Sequence, residues 1–299
     1  MENVLEINNL SKHYGPLRAV DQLNLTIPKG KVFGLLGPNG SGKTTTLGMI
    51  LDVINPTSGT ISWFGEGNSH HLRKRIGSIL ETPVFYPYMS GYNNLLTVAK
   101  IKEVPEEKIE EVLQKVNLTG RENDPFKTYS LGMKQRLAIA AALLSDPEVL
   151  IFDEPTNGLD PQGIADIRKL IVAIANEGKT IILASHLLDE VQRVCDFFAV
   201  LRRGQLVHVG PVADVKNEIS TAEIAAADMD QLRKSLSEIY QVSKVSKEGS
   251  LFIIEIEENF SLAELNARLF EEGIAVNHLT MRAKNLEQQF LEILAQNPS

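Results

Sequence analysis

Gly37-Pro38-Asn39-Gly40-Ser41-Gly42-Lys43-Thr44 fits the pattern G-x-x-x-x-G-K-[ST] at every fixed position. Before it, Lys31-Val32-Phe33-Gly34-Leu35-Leu36 has the length and apolar character of a strand. After it, Thr45-Thr46-Leu47-Gly48-Met49-Ile50-Leu51 repeats its apolar residues at helical spacing. Strand, glycine loop and helix in that order form an anion cradle. The glycines let the backbone fold tightly round a phosphate, because a side chain would block the approach. Loop amides converge on the anion as a nest, and the helix N-terminus, worth roughly half a positive charge, points at the same place. Lys43 would reach the β- and γ-phosphates, the Thr44 hydroxyl would ligate Mg²⁺, and Thr45 closes the phosphate-binding set. The stretch predicts a bound nucleoside triphosphate.

Working outward, 299 residues suggest about two domains. A hydrophobic fraction of 43% and a charged fraction of 23% are ordinary for a globular protein with a good core. No apolar run reaches about 18 residues, so no membrane-spanning helix is expected. Met1-Glu2-Asn3-Val4-Leu5-Glu6 lacks the basic flank and apolar block of a secretory signal. The single cysteine, Cys195, forms no internal disulfide, and a reducing cytoplasm is the expected home. A net charge of −8 argues against nucleic acid as a partner. That charge is uneven: from Glu218 onward there are 14 acidic and 7 basic residues, against 24 and 23 before it. The shift predicts two domains, 1–217 and 218–299.

In the first domain, strands are expected over Val4–Asn8, Ala19–Ile27, Thr60–Phe64 and Ile76–Leu80, with a polar turn at Leu10–Gly15. Two prolines exclude regular structure between Glu81 and Gly91, yet Val84, Phe85, Tyr86 and Tyr88 crowd into that loop. Helices are expected over Tyr92–Lys102, Glu106–Val116, Met133–Leu144 and Gln162–Asn176. Val149-Leu150-Ile151-Phe152 is wholly apolar, as a strand covered on both faces should be, and Thr180–Ala184 reads likewise. Alternating strands and helices of these lengths predict an α/β fold with a parallel core. Beyond 218, the order strand (Thr221–Ala227), helix (Met229–Ile239), strand (Val242–Val245), strand (Leu251–Ile256), helix (Leu262–Glu271), strand (Ala275–Met281) matches a ferredoxin-like α+β layout, with a closing helix at Leu286–Ala295.

The apolar strand 149–152 runs into Asp153-Glu154-Pro155, the form of a Walker B strand. Asp153 emerges at its carboxyl end, where open α/β sheets bind ligands, and would hold Mg²⁺. Glu154 would polarise the attacking water; a placed general base contributes roughly 10²–10⁴-fold in rate.

Just upstream, Tyr129-Ser130-Leu131-Gly132-Met133-Lys134-Gln135-Arg136 resembles the signature of ATP-binding-cassette (ABC) ATPases, Leu-Ser-Gly-Gly-Gln. Ser130 and Gly132 match; Leu131 replaces the first glycine and Met133 the glutamine. The resemblance covers roughly residues 3–217, with every family motif in its usual order. It implies a P-loop NTPase fold of parallel core sheet, antiparallel β subdomain and helical subdomain (about 83–145). Tyr14 falls where the family stacks a ring on adenine, Gly158-Leu159-Asp160 matches the D-loop, and His186 the switch histidine. Glu81 stands where the family has the Q-loop glutamine, and resembles the bacitracin-resistance and lantibiotic-immunity exporters in this; it would offer oxygen to Mg²⁺ or miss the metal altogether.

By this resemblance, ATP on Lys43, Thr44 and Asp153 of one chain is capped by Ser130 and Gly132 of another, most simply in a homodimer. Separate membrane permease subunits would place the chain at the cytoplasmic face of the cell membrane. The Pro83–Met89 loop either grips those subunits or packs within the helical subdomain. Leu286-Glu287-Gln288-Gln289-Phe290-Leu291-Glu292 resembles the accessory tails of drug- and peptide-export ATPases. The implied activity is ATP hydrolysis driving export of antimicrobial peptides or drugs. The alternative is an ABC ATPase that remodels protein or nucleic acid, and the acidic balance disfavours it.

Overall fold

The computed structural model describes residues 2–80, 83–217, 220–257 and 260–282. Glu81 and the helix expected over Leu286–Ala295 lie outside the described residues. The chain divides into two units, Met1–Gly210 and Pro211–Ser299.

The first unit opens with two long antiparallel strands, β1 (Asn3–Tyr14) and β2 (Leu17–Pro28). The turn expected from Leu10 is strand instead. Asn9 takes φ 47 and the register shifts between Ile7 and Leu10, so a bulge interrupts the alternation of the strand there. The chain then passes through β3 (Val32–Leu36) and α1 (Lys43–Ile50) and returns with β4 (Ser58–Trp63), giving the antiparallel order β2-β1-β4.

After a short helix, α2 (His70–Arg73), strand β5 (Ile76–Ile79) enters a second sheet. A helical segment follows: α3 (Gly91–Lys102), α4 (Lys108–Lys115), a 3-10 turn at Phe126–Thr128 and α5 (Leu131–Leu143). The remaining elements of the unit are β6 (Val149–Asp153), α6 (Pro161–Ala175), β7 (Thr180–Ser185), α7 (Leu188–Val194), β8 (Phe197–Arg202) and β9 (Gln205–Pro211). The second sheet has six strands in the order β5-β6-β7-β3-β8-β9, with β5 to β8 and β3 pairing in parallel. Helices α2 and α7 and strands β8 and β9 are additional to the expected elements.

The middle strands β6, β7 and β3 are buried at every residue, the reason each reads as an apolar run. Because they are parallel neighbours, their carboxyl ends share one edge. One apolar core joins both sheets through α1, with Leu5, Val20, Leu35, Leu47, Ile151 and Ala199 among its members. Trp63 sits in it with no exposure, and its indole N–H donates to Ile50 O at 2.9 Å. Burying each such side chain contributes about 1.5–3 kcal/mol.

The second unit starts with α8 (Val212–Asn217) and continues β10 (Ser220–Ala226), α9 (Met229–Glu238), β11 (Val242–Glu248), β12 (Leu251–Ile256), α10 (Leu262–Glu271) and β13 (Val276–Arg282). Its antiparallel sheet has the order β11-β12-β10-β13. Leu232 and Leu236 of α9 and Leu265 and Leu269 of α10 pack with Ile224, Phe252 and Ile254 as a separate core. A capping box fixes where α10 starts: Ser261 Oγ accepts from the Glu264 amide and the Glu264 carboxylate accepts from the Ser261 amide.

Candidate functional site

The loop between β3 and α1 is shaped by what surrounds it. Gly42 ends it at φ 107, in the left-handed region, and a Cβ there would come within 2.5 Å of Ala19 O. No other residue type fits without moving β2. Gly204 of the β8–β9 turn donates to Ser41 O at 2.9 Å and clamps the loop from the other side. The α1 N-terminus then opens onto the loop, presenting unpaired amides to an anion.

Lys43, 6% exposed, turns its Nζ back onto the loop, donating to Gly37 O at 2.7 Å and Pro38 O at 3.4 Å. The same nitrogen lies 3.4 Å from Glu154 Oε1. Thr44 Oγ1 donates to Asp153 Oδ2 at 2.8 Å, joining the first turn of α1 to the end of β6. Glu154 adopts φ 49, a backbone conformation uncommon outside glycine, with its amide held by Ala184 O at 2.9 Å. That turn out of the strand aims the carboxylate at two partners at once. Its Oε2 is 2.8 Å from His186 Nδ1, and its Oε1 faces Lys43. The expected base, cation, metal ligand and switch histidine therefore meet at the carboxyl ends of β6 and β7.

A cleft of about 620 Å³ runs from this cluster across the loop, lined by Tyr14, Arg18, Asn39, Lys43, Glu154 and Arg203 among others. Gly40, Ser41, Gly42, Thr44 and Thr45 also face it. Tyr14, 48% exposed at the end of β1, has Lys12 Nζ 5.0 Å from its ring centroid. Arg18 and Arg203 were not foreseeable: one lies near the start of β2 and the other in the β8–β9 turn, neither in a motif, and only the folded chain brings them to the loop.

Ser130, Gly132 and Asp160 are not among the residues lining this cleft. Ser130 caps α5, its hydroxyl accepting from the Met133 amide at 3.3 Å. Asp160 caps α6, its carboxylate accepting from the Gly163 amide at 2.8 Å. The two helix starts touch, since a Cβ on Gly158 would lie 3.2 Å from Leu131 Cδ2. Gly132 has room: the nearest atom to an added Cβ is Leu159 Cδ2, at 3.9 Å. The Pro83–Met89 loop divides its side chains. Phe85 packs on Phe126, ring centroids 5.2 Å apart, while Val84, Tyr86 and Tyr88 are 91%, 61% and 79% exposed. Buried Asn94 pins the loop, accepting from the Tyr86 amide at 2.8 Å and donating to Tyr86 O at 3.1 Å.

Cys195 is buried, and burial pushes its thiol well above the ordinary range, which disfavours the thiolate.

A glycine loop between β3 and α1, answered by a carboxylate pair at the end of β6 two strands away in the same parallel sheet, defines a nucleoside-triphosphate-hydrolysing cassette. Residues 20–157 match the family described as "ABC transporter". The bacitracin transport ATP-binding protein BcrA of Enterococcus faecalis is 38% identical over 98% of this chain and 97% of its own. The lantibiotic transport ATP-binding protein SrtF of Streptococcus pyogenes is 43% identical over 68% and 89%. Among solved structures, cbiO1 of Clostridium perfringens, part of the ABC transporter complex cbiONQ, superposes with a TM-score of 0.67 at 31% identity, covering 73% of this chain and 92% of its own. The chain belongs to the ATP-binding subunits of ABC transporters, and its activity is ATP hydrolysis coupled to transport. Among the described residues no helix is long and apolar enough to cross a membrane.

Proposed function

We propose that two copies of this chain act as a head-to-tail pair that drives export of antimicrobial peptides or drugs through separate membrane subunits. ATP rests on Lys43, Thr44, Thr45 and the loop from Gly37 to Gly42 of one copy, with Tyr14 against the base. Ser130 and Gly132 of the second copy cap its γ-phosphate. The observation that carries this reading is Gly132. Apart from its chain neighbours and the backbone of its own helix, nothing stands closer than 3.9 Å to an added Cβ, so the fold does not require a glycine there. A phosphate approaching from outside does.

Thr44 Oγ1 and Asp153 Oδ2, two hard oxygens 2.8 Å apart, fit Mg²⁺, which takes its other ligands from phosphate and water. Bound there, the ion would neutralise charge on the β- and γ-phosphates. Lys43 exchanges its contacts to Gly37 O and Glu154 for phosphate oxygens. Glu154 then orients and deprotonates the water, and His186, hydrogen-bonded to Glu154, holds water and γ-phosphate in line. Most of the catalysis is positioning and charge stabilisation, so it depends on the second copy completing the site.

The exposed side chains of Val84, Tyr86 and Tyr88 are the surface offered to the membrane subunit, with Phe85 as their internal anchor. This docking would place the chain at the cytoplasmic face of the membrane. The second unit, Pro211–Ser299, read as ferredoxin-like from its antiparallel order β11-β12-β10-β13, supports or regulates the pair. Peptide export is supported by the bacitracin and lantibiotic relatives. The test is detergent purification of the tagged chain from its native membranes, paired with bacitracin and lantibiotic susceptibility of cells carrying Glu154→Gln. Recovery of a multi-spanning membrane protein with raised susceptibility supports the reading. Recovery of ribosomes or DNA, or unchanged susceptibility to both classes, overturns it.

A further inference from the structure

Behind the Glu154–His186 pair stands a second carboxylate that the phosphate chemistry leaves unused. Glu190, in the first turn of α7, is 1% exposed. Each of its oxygens receives a hydroxyl: Thr156 Oγ1 donates to Oε1, and Ser185 Oγ donates to Oε2 at 2.7 Å. Thr156 stands two residues after Glu154, and Ser185 one residue before His186. One buried carboxylate is thus shared between the ends of the two strands that carry the base and the histidine. Ser185 Oγ also accepts from the Leu187 amide at 3.0 Å, which fixes the chain on the far side of His186.

A carboxylate withdrawn from water is retained only where hydrogen bonds replace its hydration. Here they do so with two groups that flank the reacting residues. The helix carrying Glu190 is itself braced. Its neighbour Asp189 receives Arg168 Nη2 from α6 at 2.7 Å and Arg193 Nε at 2.6 Å. Burial disfavours the charged Asp189, but the Arg193 and Arg168 hydrogen bonds outweigh it and hold its carboxyl below the ordinary range. Glu190 is therefore a fixed post. Glu154 needs one, because its left-handed backbone, φ 49, persists only where the surroundings over-determine it.

We infer that Glu190 is a positioning residue for ATP hydrolysis: through Thr156 and Ser185 it holds Glu154 and His186 in mutual register without touching nucleotide. A carboxylate acting this way affects turnover and leaves ground-state binding alone.

The experiment measures kcat, KM, nucleotide affinity with a fluorescent ATP analogue, and thermal midpoint on the purified full chain. The variants are Glu190→Ala, Glu190→Gln, Thr156→Val and Ser185→Ala. Glu190→Ala is expected to lower kcat at least about tenfold, with KM and affinity within about twofold. Glu190→Gln keeps the shape and one acceptor, and is expected to recover most of that loss. Thr156→Val and Ser185→Ala each lower kcat severalfold, and add little in the Glu190→Ala background, as members of one network do. The single hydroxyl deletions keep the idea testable if Glu190→Ala does not fold. Unchanged kcat in Thr156→Val and Ser185→Ala, a kcat loss that only follows the folded fraction, or hydroxyl losses that multiply with that of Glu190→Ala would overturn it.

Discussion

Gly42 shapes the phosphate loop, Gly132 is the glycine we propose caps a phosphate held by a second copy, and the chain treats the two in opposite ways. Gly42 is demanded from within: φ 107 and the nearby Ala19 carbonyl leave no space for a Cβ. Gly132 is unconstrained from within, sitting in the second position of α5 with open space around it. The rest of each region follows suit. Around Gly42 the polar groups are tied to one another across the fold, Lys43 to Gly37 and Glu154, Thr44 to Asp153, Glu154 to His186. Beside Gly132, Ser130 and Asp160 are tied to their own helix starts, Ser130 to Met133 and Asp160 to Gly163. One region is closed by the chain's own contacts, and the other is the face we propose a second copy completes.

Substitutions separate the two. The largest effect on rate belongs to Glu154→Gln, which removes the base while keeping the shape: kcat falls by about 10²–10⁴-fold with ATP binding retained. Retained turnover within a few-fold would remove Glu154 from the chemistry. Next, Gly42→Ala forces β2 aside and strains the backbone; nucleotide affinity, followed by calorimetry, falls at least about 100-fold and stability falls by about 1–3 kcal/mol. Gly132→Ala sharpens the contrast most, because its two effects have opposite signs. Replacing a helical glycine stabilises the isolated chain by about 0.5–1 kcal/mol, while hydrolysis falls about tenfold and single-chain nucleotide affinity is unchanged. A Gly132→Ala chain that hydrolyses normally would make this face structurally idle. The smallest effect on chemistry is expected of Tyr88→Ala, whose ring is 79% exposed. Basal ATPase stays within about twofold, whereas retention of the membrane subunit in detergent weakens by about 1–2 kcal/mol, or roughly tenfold.

The same contrast explains what could be read from the sequence. The finished pocket was legible because its parts are contiguous: a buried strand must be apolar, a tight anion turn must be glycine, and Asp153-Glu154 follows an apolar run by one step. Contacts that pair residues far apart were not. Nothing local marks Glu190 as the partner of Thr156, 34 residues away, or Asn94 as the pin of the 83–89 loop. The loop's aromatics were legible as a group but not individually, and only packing against Phe126 separates Phe85 from its exposed neighbours. In β1, the bulge at Asn9 hid the strand's second half, because alternation is a reliable guide only while the register is unbroken.

The account turns on whether the open face is completed by a second copy. Light scattering on size-exclusion-separated Glu154→Gln chain, with saturating ATP and Mg²⁺, tests this directly. A mass that doubles with ATP, reverts with ADP, and fails to double when Gly132→Ala is added is the predicted result. A chain that stays monomeric with ATP, both alone and with its membrane subunit present, contradicts it.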